Sequence, residues 1–133
     1  MRVGVGGFCS KYLEDDNEIV YTYSSYNLNI PDYRNMERTE DGVIAINKFS
    51  LVEPEIHEKI KKTSKGKKLF VKRIPHDIQL SVLLNNGKVK IENCTNTWEL
   101  LDGYDKIALS LCRKLFIDYQ LYGKLPDKLS YDI

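Results

Sequence analysis

Apolar and polar positions alternate along residues 18–28, EIVYTYSSYNL. Ile19, Tyr21 and Tyr23 fall on one side and Val20, Thr22 and Ser24 on the other. Branched and aromatic side chains suit a pleated strand. An isoleucine with two tyrosines is an ordinary core-facing row whose hydroxyls reach its edge. Tyr26 leaves that phase after Ser24–Ser25, which predicts a bulge or the strand end. Residues 2–9, RVGVGGFC, alternate in part through Val3, Val5 and Phe8 and predict a strand; the EDDN cluster at 14–17 makes the two a hairpin. Asp41–Gly42 opens a third strand over 42–49, and LFVKRI before Pro75 reads as a fourth.

The period changes elsewhere. From Asp105 to Tyr122, Ile107, Leu111, Leu115 and Tyr119 recur every four residues, flanked by Ala108, Cys112 and Phe116. That predicts a long helix packed across the sheet, with Asp105 as N-cap and Gly123 as its stop. A shorter helix is predicted near residues 54–62. Pro54 suits the first helical position, Ile56 and Ile60 are four apart, and glutamates precede lysines in the sense the helix dipole favours. Residues 78–86 stay open. Asn86–Gly87 signals a hairpin that would face Leu84 with Val89, while LSVLLNN also reads as a short helix ended by Gly87. KVKIEN is a strand in both cases, and the tail can fold back through Leu125, Leu129 and Ile133. The expected fold is α+β: an antiparallel sheet of about five strands, covered on one face by the C-terminal helix, in a single domain spanning residues 1–133.

Composition narrows the function classes. The net charge of +1 supplies no overall field toward nucleic acid or an anionic membrane. The three cysteines, Cys9, Cys94 and Cys112, are odd in number and widely spaced, which argues against a disulfide framework and for a reducing cytoplasm. The N-terminal residues lack the apolar run of a signal peptide, and no stretch approaches the length of a membrane span. No membrane association, cofactor or metal is expected.

Candidate chemistry is sparse. Gly4, Gly6 and Gly7 lack the strand–loop–helix setting of a dinucleotide fingerprint and read as a bulged or closely packed strand. Glu53 and His57 stand four apart without the second histidine of a zinc motif, and Cys112 belongs to the apolar stripe. Between Lys59 and Arg73 lie eight Lys or Arg residues and no acidic one.

The reading that follows is a small cytoplasmic, non-catalytic binding protein. It recognises a macromolecular partner through a Tyr-rich loop (Tyr26, Tyr33, Arg34) and a basic turn (Lys65, Lys67, Lys68). Another protein is the expected partner, by analogy of size and shape with small bacterial immunity and antitoxin proteins. Nucleic acid, through residues 59–73, is the second possibility. The alternative function is a small enzyme using His57 with Glu53 or Cys9 as acid/base or nucleophile.

Overall fold

The computed structural model describes residues 3–132. Strands β1 (Val5–Glu14), β2 (Glu18–Asn27) and β3 (Gly42–Asn47) form the centre of an antiparallel sheet. β4 (Glu55–Thr63) and β5 (Gly66–Ile74) follow, then helix α1 (Leu80–Asn85) and strand β6 (Val89–Glu92). Two short strands, β7 (Leu100–Leu101) and β8 (Tyr104–Asp105), precede helix α2 (Lys106–Tyr122), and β9 (Lys128–Asp132) ends the order. The five-stranded sheet runs β6-β3-β2-β1-β9; among the described residues β4 pairs only with β5 and β7 only with β8.

The fold is α+β, with α2 laid across one sheet face. Val5, Cys9, Ile19, Tyr21, Tyr23, Ile44, Ile46 and Val89 meet Ile107, Ala108, Leu111, Cys112, Leu115 and Phe116 in one buried cluster. Two glycines permit this closeness. A Cβ on Gly7 would lie 2.5 Å from Ile107 Cγ2, and one on Gly42 would lie 2.2 Å from the Tyr23 ring. Gly6, where a Cβ would lie 2.1 Å from the Tyr131 carbonyl oxygen, and Gly7 thus serve close packing. Asp105 caps α2 by accepting from the Ile107 N–H at 3.0 Å. Gly123 ends it at φ 77°, the left-handed conformation that glycine adopts without penalty. The tail does fold back: β9 pairs with β1 and buries Leu129, while Ile133 lies outside the described residues.

Three expectations are corrected. The segment near 54–62 is the extended strand β4, not a helix. A spacing of four puts Ile56 and Ile60 on one face in either conformation, so that pair does not discriminate. Residues 66–74 supply the partner strand, in the register Ile60↔Leu69. The fourth strand accordingly lies outside the main sheet. Tyr26 is in phase after all: it sits on the Thr22–Ser24 face opposite Gly6, and the irregularity lies in β1, between Lys11 and Leu13. The open question at 78–86 resolves as helix α1, which buries Leu80 and half-buries Leu83 and Leu84, with Gly87 at φ 78° beyond its end.

Candidate functional site

β4 and β5 form a two-stranded ribbon, here called the arm. Thr63 closes its turn by donating from its hydroxyl to the Gly66 carbonyl at 2.9 Å. Gly66 holds φ at 115°, a value that side-chain-bearing residues rarely adopt. Nine residues per strand at about 3.4 Å each give a ribbon of roughly 30 Å. Every residue from Glu55 to Lys72 is exposed, and only Arg73 and Ile74 are half-buried. The base is clamped to the end of α2. Arg73 donates to the Leu121 carbonyl at 3.3 Å, and Tyr119 donates its hydroxyl to Glu53 at 2.9 Å. Just beyond the arm, the buried Gln120 amide binds both the N–H and the carbonyl of His76, at 2.6 and 2.8 Å.

The register sorts the arm's side chains onto two unlike faces. Directly paired residues share a face, so Ile56, Ile60, Leu69 and Val71 line one side with Glu58, Lys62, Lys67 and Arg73. Those four aliphatic side chains are 52%, 66%, 54% and 55% exposed. The other side carries His57, Lys59, Lys61, Lys68 and Lys72 around a single aromatic, Phe70. The ammonium groups of Lys61 and Lys68 lie 5.4 and 5.7 Å from the centre of the Phe70 ring. Among the described residues, no arm lysine lies within ion-pair distance of a carboxylate. The arm holds eight cations against two carboxylates, a net of +6, so the rest of the chain carries −5 of the overall +1.

The two sets of residues singled out in the sequence are not brought together. Lys65, Lys67 and Lys68 lie at the arm's turn, and the arm is rooted at the C-terminal end of α2. Tyr33 and Arg34 belong to the connection between β2 and β3, at the other end of that helix. The Tyr33 carbonyl accepts from Asn96, which also binds the Ser25 carbonyl, and Arg34 donates back to the Leu28 carbonyl at 3.0 Å. The seventeen residues of α2 put about 25 Å between the two ends. Tyr26 lies on the sheet face away from α2, half-buried, with its phenol pKa raised by burial. Arg38 covers part of that face, its guanidinium 4.1 Å from the centre of the Phe8 ring.

The groups named for catalysis do not converge. His57 sits on the exposed arm and binds Glu55 at 2.8 Å, whereas Glu53 is engaged by Tyr119. Cys9 is buried under α2, where burial and then Glu40 push its thiol up to about 12; such a group is a thiol, not a nucleophile, at neutral pH. A groove of about 710 Å³ runs between α1, the β7–β8 hairpin and α2. A second, of about 500 Å³, lies by Lys11, Lys48 and Tyr119. Neither is lined by His57 or Cys9. Among the described residues, no three His, Cys, Asp or Glu side chains gather to hold a metal.

One polar cluster was invisible in the sequence. Asp105, fully buried, accepts from the Tyr23 hydroxyl at 3.1 Å, the Thr97 hydroxyl at 3.1 Å and the Cys94 thiol at 3.5 Å. The Cys94 N–H donates to the Tyr23 oxygen at 3.0 Å. Every member is partnered, so the cluster pins the segment around Cys94 to the sheet and to the start of α2.

A scan against protein-family models, a search of curated proteins and a search of solved structures find no match to this chain. No helix among the described residues is long and apolar enough to cross a membrane.

Proposed function

We propose that this chain is a non-catalytic binding module whose arm engages an anionic macromolecular partner. The observation that carries the reading is the arm itself, +6 in net charge and exposed on both faces along its length. An isolated two-stranded ribbon is marginal in water, and this one adds no face to the core. Among the described residues its lysines have no carboxylate within ion-pair distance, so their field is free to act on encounter over about a Debye length, ~8–10 Å. The three free, buried thiols favour a reducing compartment such as the cytoplasm.

Chromatography on immobilised heparin, a generic polyanion, tests this reading. The comparison is a shortened arm in which Asn-Gly replaces residues 59–70 and joins the paired residues Glu58 and Val71 by a two-residue turn. The intact chain is expected to elute at a clearly higher salt concentration than the shortened one. Equal elution overturns the reading.

A further inference from the structure

We propose that the Phe70 face of the arm binds single-stranded nucleic acid, with Phe70 as the stacking platform and Lys59, Lys61, Lys68 and Lys72 on the phosphates. This deepens the reading of the arm as a binding element and rests on it. Binders of single strands combine cations that follow the backbone with an exposed aromatic on which a base stacks. This face holds both in one register. Phe70 is the one aromatic of the arm, 42% exposed, and lies opposite Lys59, next to the Lys61–Lys68 pair and the His57–Lys72 pair. Residues alternate along each strand, so Lys59 and Lys61 repeat at about 7 Å on the neighbouring strand, while Lys68 and Lys72 bracket Phe70 along its own strand. The face's carboxylate, Glu55, lies at the base and is occupied by His57.

On the Phe70 face, the same geometry disfavours two other anionic partners. A lipid surface draws cations to headgroups and aliphatic side chains into the layer beneath, on one and the same side. That combination is found on the opposite face, where Lys62, Lys67 and Arg73 accompany the aliphatic row, and not on the Phe70 face. A nucleic-acid duplex can admit a β-ribbon in its major groove, but its bases are already stacked and leave Phe70 no open base face.

Fluorescence anisotropy provides the test, using a labelled oligothymidylate of about fifteen nucleotides. A mixed-sequence duplex of equal length and phosphatidylserine-containing vesicles serve as competitors. Oligothymidylate should bind more tightly than duplex. The slope of log affinity against log salt should be about −3, as four phosphate contacts on a single strand imply. Lys59→Gln, Lys61→Gln, Lys68→Gln and Lys72→Gln together should flatten that slope. Phe70→Leu should weaken binding by about tenfold or more, and Phe70→Tyr should retain it. Ile60→Thr with Leu69→Thr, on the opposite face, should leave it unchanged. Circular dichroism confirms that each variant is folded. Tighter binding to duplex, equal binding by Phe70→Leu, or displacement by vesicles alone overturns the proposal. Failure to bind oligothymidylate while heparin retention still depends on the arm overturns this inference and leaves the binding-module reading standing; loss of both removes both.

Discussion

Tyr21 and Tyr23 are completely buried, and each spends its hydroxyl inside the fold: Tyr21 on the Pro126 carbonyl at 2.6 Å, Tyr23 on Asp105. Burial, first among the causes, raises both phenol pKa values, and burial likewise pushes the Cys9 and Cys112 thiols up to about 12. These four groups keep their protons in the folded chain at pH values where the unfolded chain has lost them. Stability is therefore fully present below the unfolded values, 9.0 for the thiols and 10.0 for the phenols, and falls as pH rises through them. Each group contributes a slope of about 1.4 kcal/mol per pH unit above its unfolded value. Urea denaturation should show a loss that begins near pH 9 and steepens beyond about pH 10. A stability that stays level across that range would contradict the protonated burial of these residues. The core role of Tyr21 and Tyr23 was legible from alternation alone. Asp105 was legible as a helix cap but not as the acceptor for Tyr23, Cys94 and Thr97, because that cluster joins residues distant in sequence.

At the scale of elements, α2 and the arm are opposites. α2 buries Leu111 and Leu115 completely against the sheet. Replacing either with Ala should cost about 2–5 kcal/mol in chemical denaturation. The shortened arm should cost under about 1 kcal/mol, because the residues removed are all exposed. A larger loss would mean that the arm supports the body after all. This contrast also explains what the sequence revealed and what it concealed. α2 was readable because a 3.6-residue period over seventeen positions admits one interpretation. β4 was not, because its apolar residues recur every four and its glutamate-to-lysine gradient imitates a helix. The discriminating signal lay downstream: KKLFVKRI is rich in branched and aromatic residues and sits one tight turn away. Phe70 carries no signal of its own in the sequence, since only the β4–β5 register places it among Lys59, Lys61, Lys68 and Lys72.

At the scale of the whole molecule, charge and stability are both divided between body and arm. The body carries −5 and the hydrophobic cluster; the arm carries +6 and no part of that cluster. Backbone hydrogen bonds on the arm's two strands are exposed, so they open locally without unfolding the sheet. Hydrogen exchange should therefore show amides of residues 57–72 exchanging far faster than those of β1, β2 and the middle of α2. The slowest class should include residues around Tyr21 and Leu115. Uniform protection across arm and body would show that the two unfold as one unit. A nucleic-acid probe bound to the Phe70 face should slow exchange in the arm selectively.

The sheet order β6-β3-β2-β1-β9 has a consequence for how the chain comes together. β1 is synthesised before β9, yet one of its two edges is paired by β9. Until β9 arrives, Gly6 through Ser10 present an open row of backbone donors and acceptors, the sort of edge that recruits strands from neighbouring chains. α2 emerges before β9 and can cover the sheet's apolar face first, but a helix lying across a face does not close an edge. Once paired, the five-residue β9 becomes the edge in place of the ten-residue β1, and a short edge strand is the poorer template for association. Loss of the β9 residues would leave a chain with nearly its whole core and an exposed strand at its margin.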